Sequence, residues 1–106
     1  MALLYEKKGK IAYFTLNRPE AFNSLDPDTL KEFHDALLDF RDDSELWVGI
    51  VTGAGNRAFC AGADLTKTIP LMMDPNKTPP WRTPSNIMRG LQLFKPLIAA
   101  INGMAL

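Results

Sequence analysis

The residues best suited to chemistry lie in one run, Gly53-Ala-Gly-Asn-Arg-Ala-Phe-Cys-Ala-Gly-Ala-Asp-Leu65. It follows an apolar stretch, Val48-Gly-Ile-Val-Thr52, that reads as a buried strand. Where Gly and Ala replace bulky side chains, a ligand can approach the backbone closely. Two chemistries compete. Gly53-x-Gly55-x-x-Ala58 matches a G-x-G-x-x-A dinucleotide fingerprint after a strand, and Asp74 stands about 20 residues beyond the first glycine, the spacing used for ribose recognition. That reading needs a helix to open at the glycines and hold a pyrophosphate at its N-terminus. Phe59-Cys-Ala-Gly-Ala lacks helical periodicity, and Pro70 and Pro75 stand where the second strand should run. The other chemistry belongs to Ala61-Gly62-Ala63-Asp64. Small side chains there leave a backbone N–H free to face a carbonyl, and a preorganised oxyanion donor typically lowers a barrier by about 3 kcal/mol. The same residues also read as a plain strand-to-helix turn with Asp64 as N-cap. Residue types alone leave these readings open.

The remaining reactive side chains point to packing or solvent. His34 falls off the apolar stripe of its helix with no nucleophile or metal partner, which predicts a partly exposed surface histidine. Cys60 sits among small residues with no neighbouring base, as an inert buried thiol does. As the only cysteine it allows no internal disulfide and no Cys-rich metal site. Asp42, Asp43 and Glu45 read as a solvated helix end. Trp81 either caps a ligand pocket or anchors a loop on the domain surface.

The elements that must carry these residues follow from local pattern. Leu3–Lys8 and Lys10–Leu16, turned at Gly9, predict an N-terminal hairpin. Residues 17–24 are a polar loop around Pro19. Asp26, Pro27 and Asp28 mark a helix start. Leu30, Phe33, Leu37 and Phe40 then recur at helical spacing to an end near 41–44. Trp47–Thr52 is the central strand, Gly53–Asn56 a turn, and a short helix is expected from about Asp64. Five of the eight prolines crowd residues 69–84, predicting a long loop rather than a packed element. Thr83-Pro84 resembles a second helix start, with Ile87, Met88, Leu91 and Phe94 as its apolar face. Leu97–Ile101 reads as a buried strand. Strands alternating with helices indicate an α/β fold. No internal sequence repeat is evident.

The 106 residues suit one domain or part of one, covering 1–106. Formal net charge is zero, without the basic stripe that nucleic acid or an anionic membrane surface demands. No apolar run approaches the roughly 20 residues of a membrane span. The N-terminus lacks signal-peptide order, and a cytoplasmic location is expected. Lys95–Leu106 stays apolar to its last residue, which reads as a strand and turn that continue further.

Three motifs together resemble the enoyl-CoA hydratase/isomerase (crotonase) family: Asn17-Arg-Pro-x-Ala-x-Asn-Ser-Leu25, Ala58-Phe-Cys-Ala-Gly-Ala-Asp-Leu65 and Lys95-Pro-x-Ile-Ala-Ala-Ile-Asn-Gly-x-Ala-Leu106. They fall in the family's order and span nearly the whole chain. The resemblance implies a spiral of β-β-α turns, here its N-terminal part, that binds acyl-CoA thioesters and stabilises their enolates. By that resemblance Ala63 donates one oxyanion N–H. Ala61, Asp64 and Leu65 line the adenine and pantetheine part of the CoA site, Ala21 contacts CoA, and Met104 lines the acyl pocket. Thr66 stands where the family often has a basic residue, with Lys67 next. The second oxyanion donor and two catalytic glutamates are expected beyond Leu106, so the chain reads as a truncated, cleaved or short-encoded portion, inactive alone. The implied reaction is hydration of a 2-enoyl-CoA, with coenzyme A as part of the substrate, no metal or other cofactor, and a homo-oligomer (trimer or hexamer) in the full-length form. The alternatives are a non-catalytic acyl-CoA-binding or subunit-pairing fragment and, further off, a nucleotide-binding domain.

Overall fold

The structure, a computed structural model, describes residues 2–74, 76 and 92–105. Among these residues, six strands and two α-helices follow the order β1 (Leu3–Lys8), β2 (Ile11–Leu16), α1 (Pro27–Asp42), β3 (Val48–Gly53), β4 (Ala58–Cys60), α2 (Thr68–Met73), β5 (Leu97–Ala99) and β6 (Met104–Ala105). β1 and β2 form the expected hairpin, with Lys8 opposite Ile11 across a two-residue turn. Gly9 there has φ +61°, and only glycine takes that first turn position without strain.

The chain then repeats a strand–strand–helix unit: β1-β2-α1, β3-β4-α2, and the strand pair β5-β6. Successive units stack in parallel. β2 pairs β3 from Ile11↔Val48 to Leu16↔Gly53, and β3 pairs β5 from Gly49↔Leu97 to Val51↔Ala99. One sheet has the order β1-β2-β3-β5, and a second joins β4 to β6 in parallel. This is the first part of a β-β-α spiral. The repeat is one of geometry, which explains why no sequence repeat marks it.

α1 begins where its signals place it. The Asp26 carboxylate accepts the Thr29 N–H and Pro27 occupies the first turn. Thr29, Leu30, Phe33, Ala36, Leu37 and Phe40 are its buried residues. The core centres on Phe14, fully buried, with its ring stacked on Phe33 at 5.8 Å and edge-on to Phe40 at 5.6 Å. At the other end of α1, Lys95 Nζ donates to the Phe40 and Asp43 carbonyls, each at 2.6 Å, and so caps the helix from a distant segment.

Four expectations need correction. Residues 69–84 do not begin as a loop: α2 takes in Ile69 and Pro70. Pro70 lies in the first turn of α2, where its missing N–H would have had no helical partner. The short helix opens at Thr68, not at Asp64, because Asp64 organises the turn before it. Phe94 is not helical and is 90% exposed. Leu97 and Ile98 lie on a strand as expected, yet they are exposed rather than buried, because among the described residues β5 is an edge strand with no layer over it. The proposed helix face at Ile87, Met88 and Leu91, the remaining prolines of 75–84, and Trp81 lie outside the described residues.

Candidate functional site: an open main-chain N–H beside the 18–25 loop

Just past β4, residues 61–64 run alongside the loop of residues 18–25. Ala61 donates its N–H to the Phe22 carbonyl at 3.0 Å. Leu25 then forms a parallel bridge to Ala63: its N–H reaches the Gly62 carbonyl at 2.7 Å and its carbonyl accepts the Asp64 N–H at 3.0 Å. In such a bridge one residue bonds to both neighbours of the residue opposite, so the N–H and C=O of Ala63 itself point away from Leu25. The Gly62 N–H faces the Cys60 sulfur at 3.4 Å. Three of the four N–H groups from 61 to 64 are therefore occupied. Among the described residues the fourth, on Ala63, has no acceptor, and Ala63 is exposed. Gly62, at φ +92°, makes the bend that turns this peptide outward.

Asp64 anchors the segment. Its Oδ1 accepts the Thr66 hydroxyl at 2.7 Å and the N–H groups of Thr66 (2.8 Å) and Lys67 (2.9 Å). Its other oxygen lies 3.4 Å from Arg18 Nη1. The Thr66 hydroxyl foremost, with those N–H groups and Arg18, holds the Asp64 carboxyl at about 2, well below the usual carboxylate range, against the opposing pull of desolvation. Arg18 also lies 3.5 Å from Asp26 Oδ2 and donates to the Ser24 carbonyl at 2.9 Å. Burial pushes the Asp26 carboxyl up most strongly, but Thr29, Arg18 and Lys67 together outweigh it and hold the group below its ordinary value. One half-buried guanidinium thus lies between two carboxylates from different segments.

The sequence-derived site residues fall into one region. Ala21 closes a 3-10 turn, Pro19–Ala21, one residue before the Phe22 carbonyl that receives Ala61. Asp64 is buried with its carboxylate committed, its N–H held by the Leu25 carbonyl and its own carbonyl accepting from Thr68 at 2.9 Å and Ile69 at 3.1 Å. Leu65 is 79% exposed. Met104 sits on β6 opposite Ala58, and its N–H bonds the Arg57 carbonyl at 3.2 Å. A cavity of about 240 Å³ lies between Pro19 and Phe22 on one side and Gly55, Asn56 and Arg57 on the other. Lys67 Nζ stands 4.0 Å from Asp26. Arg18, Asn23 and Asn102, which brace this region, stood inside the three motifs but carried no visible role, because their partners lie far off in sequence.

The dinucleotide reading fails here. Gly53–Ala58 leads into strand β4, not a helix. The Gly53 N–H is held by Asn102 Oδ1 at 3.1 Å and the Ala54 N–H by the Leu16 carbonyl at 2.7 Å, so neither is free to cradle a pyrophosphate. Asp74 instead accepts the Asn76 N–H at 2.9 Å. Cys60 is buried and free, as expected. His34 is partly exposed, also as expected, though its Nδ1 is buried and has no hydrogen-bond partner among the described residues. The helix-end acids are not merely solvated: Asp43 pairs with Lys7 at 2.9 Å and Asp42 with Arg41 at 2.8 Å. Among the described residues no group of three or more His, Cys, Asp or Glu could hold a metal, and no helix is long and apolar enough to cross a membrane.

Parallel-stacked β-β-α units, with a small-residue strand end between a polar loop and β6, define a spiral α/β protein. Residues 6–106 match the sequence profile described as enoyl-CoA hydratase/isomerase, and the chain belongs to that family. It is 41% identical to the short-chain-enoyl-CoA hydratase of Clostridium acetobutylicum, with 98% of this chain and 40% of the relative covered. It is 39% identical to (E)-benzylidenesuccinyl-CoA hydratase of Thauera aromatica, covering 99% of this chain and 41% of the relative. Among solved structures it superposes on a carnitinyl-CoA dehydratase from Mycobacterium avium 104 with a TM-score of 0.76 at 35% identity, over 96% of this chain and 38% of the other. The enoyl-CoA hydratase of Mycobacterium smegmatis gives 0.73 at 32% identity, over 97% and 38%. The chain therefore spans about 40% of the length of the curated relatives it matches.

Proposed function

We propose that this chain supplies the acyl-CoA cradle and one oxyanion donor of an enoyl-CoA hydratase. The observation that carries the reading is the Ala63 N–H, exposed and without an acceptor among the described residues while its neighbours are all engaged. A thioester carbonyl placed there accepts that N–H. As water adds across the α,β double bond, charge grows on the carbonyl oxygen and the bond strengthens, a differential effect of about 3 kcal/mol per donor. Ala21, Ala61, Asp64 and Leu65 line the CoA portion, and Met104 borders the acyl chain. The second donor and the two glutamates acting as general acid and base are those the family resemblance places after Leu106. Coenzyme A enters as part of the substrate, with no metal or other cofactor. The full-length form is expected to be a cytoplasmic homo-oligomer acting on neither nucleic acid nor membrane.

The test is a titration of the ¹⁵N-labelled chain with acetyl-CoA, followed by amide NMR. The Ala63 resonance should move downfield, with smaller changes at Ala21, Ala61 and Leu65. Shifts confined to other surfaces would sink the reading. The exposed apolar row Leu97, Ile98, Ile101 and Met104 favours a second reading, in which the chain pairs with a fuller subunit. A soluble monomer at micromolar concentration in sedimentation would remove it.

A further inference from the structure

Two asparagine amides grip the turn between β3 and β4, one from each flank. Asn23, 1% exposed and at φ +56°, comes from the 18–25 loop. Its Nδ2 donates to the carbonyls of Ala54 at 3.0 Å and Ala58 at 2.9 Å, and its Oδ1 accepts the Arg18 N–H at 2.8 Å. Asn102 comes from the β5–β6 link. Its Nδ2 donates to the carbonyls of Gly53 at 2.8 Å and Gly55 at 3.1 Å, and its Oδ1 accepts the Gly53 N–H at 3.1 Å. Four turn carbonyls are shared between two amides, with both donors and the acceptor of each amide used. The fit leaves no slack: a Cβ on Gly53 would lie 2.5 Å from the Phe59 carbonyl oxygen and 2.8 Å from Asn23 Nδ2.

The three segments gripped are those that bear the proposed site: Ala21 on the first, Ala61–Leu65 continuing from the turn through β4, and Met104 on the third. The strands cannot fix this arrangement by themselves. β4 and β6 share only the pairs Ala58↔Met104 and Cys60↔Ala105, with an irregular register between them. An oxyanion donor must be held to within about 0.5 Å and 10–20° of its working geometry. We propose that Asn23 and Asn102 are positioning residues of the acyl-CoA site. They set the direction of the Ala63 N–H relative to the Ala21 loop and the Met104 strand without touching the ligand. The proposal rests on the acyl-CoA reading above.

Aspartate is the sharp substitution, because it keeps the shape and turns the donor into an acceptor facing carbonyls. Asn23→Asp and Asn102→Asp are compared with wild type and with Asn76→Asp, the same change at an exposed turn position. The first readout is N–H orientation in the ligand-free chain from residual dipolar couplings. The second is the Ala63 shift on adding acetyl-CoA. Both clamp variants should keep a dispersed amide spectrum, reorient the Ala63 N–H by more than about 20° relative to that of Met104, and lose most of the Ala63 shift; Asn76→Asp should match wild type. Folded variants with unmoved vectors and an undiminished shift would overturn the proposal. If the aspartates unfold, Asn23→Ser and Asn102→Ser are read in the same way, and unfolding of all four would overturn it by reducing the pair to a stability element. A wild-type chain whose Ala63 ignores acetyl-CoA would refute the acyl-CoA reading alone, since the ligand-free vectors still decide the clamp.

Discussion

At Ala63 the proposed chemistry rests on a main-chain atom, so the side chain matters only by being small. Whether that N–H is open depends on Leu25, which takes both neighbours of Ala63 and leaves it unpaired. The small-residue run was legible from the start. The pairing was not, because it joins residues far apart in sequence. The same holds for Asp64: its residue type marked it as an organiser of the turn towards a helix, whereas the Arg18 contact was not readable. The low Asp64 value gives a pH prediction. A carboxyl depressed in the folded state contributes stability above its unfolded value near 3.8, and loses that contribution as pH falls towards about 2. Asp64→Asn should therefore lower the urea midpoint most at pH 6, and the gap to wild type should close below about pH 4. A gap independent of pH between 2 and 6 would show that the Asp64 charge adds nothing to stability.

Among the elements, α1 and the β1–β2 hairpin were readable because their signals are local: Asp26 and Pro27 at one start, Gly9 at one turn. α2 was expected from about Asp64 but cut short before Ile69, because the crowded prolines from Pro70 onward read as a loop, although proline in a first helical turn removes no bond. The exposure of β5 was unreadable, since an apolar run looks the same on an edge strand as on a buried one. Nor could the sequence reveal what ends α1. Lys95 reaches back across the fold to two terminal carbonyls and places positive charge at the negative end of the helix dipole. Lys95→Met keeps the aliphatic stem and removes the charge and both bonds. It should cost about 1–2 kcal/mol in chemical denaturation. Amide exchange should quicken first in the last turn of α1, near Phe40 to Asp42.

For the molecule as a whole, the spiral places three successive β-β units in parallel register, and one aromatic cluster serves the first two. Phe14 touches Tyr5, Phe33 and Phe40 and is wholly buried. Phe14→Ala should destabilise by about 3–5 kcal/mol, enough to unfold much of a marginally stable population at 37 °C. Thermal melts of the variant against wild type would measure it. Family membership rests on the match along 6–106, which takes in Phe14, Phe33 and Phe40 as well as the loops around Ala63.

The pairing of β3 with β5 also sets an order of events in time. Thr52 bonds the Ala100 carbonyl across 48 residues, while the hairpin and α1 close over short distances. Long loops close late, because their entropy is lost before any contact rewards it. In a refolding pulse-labelling experiment, the amides of β1, β2 and α1 should gain protection first. The Gly49 N–H, which waits for the Pro96 carbonyl, should follow in a slower phase. On a ribosome the same delay would leave the β3 edge unpaired until β5 emerges, an interval in which a chaperone or a second nascent chain competes for it.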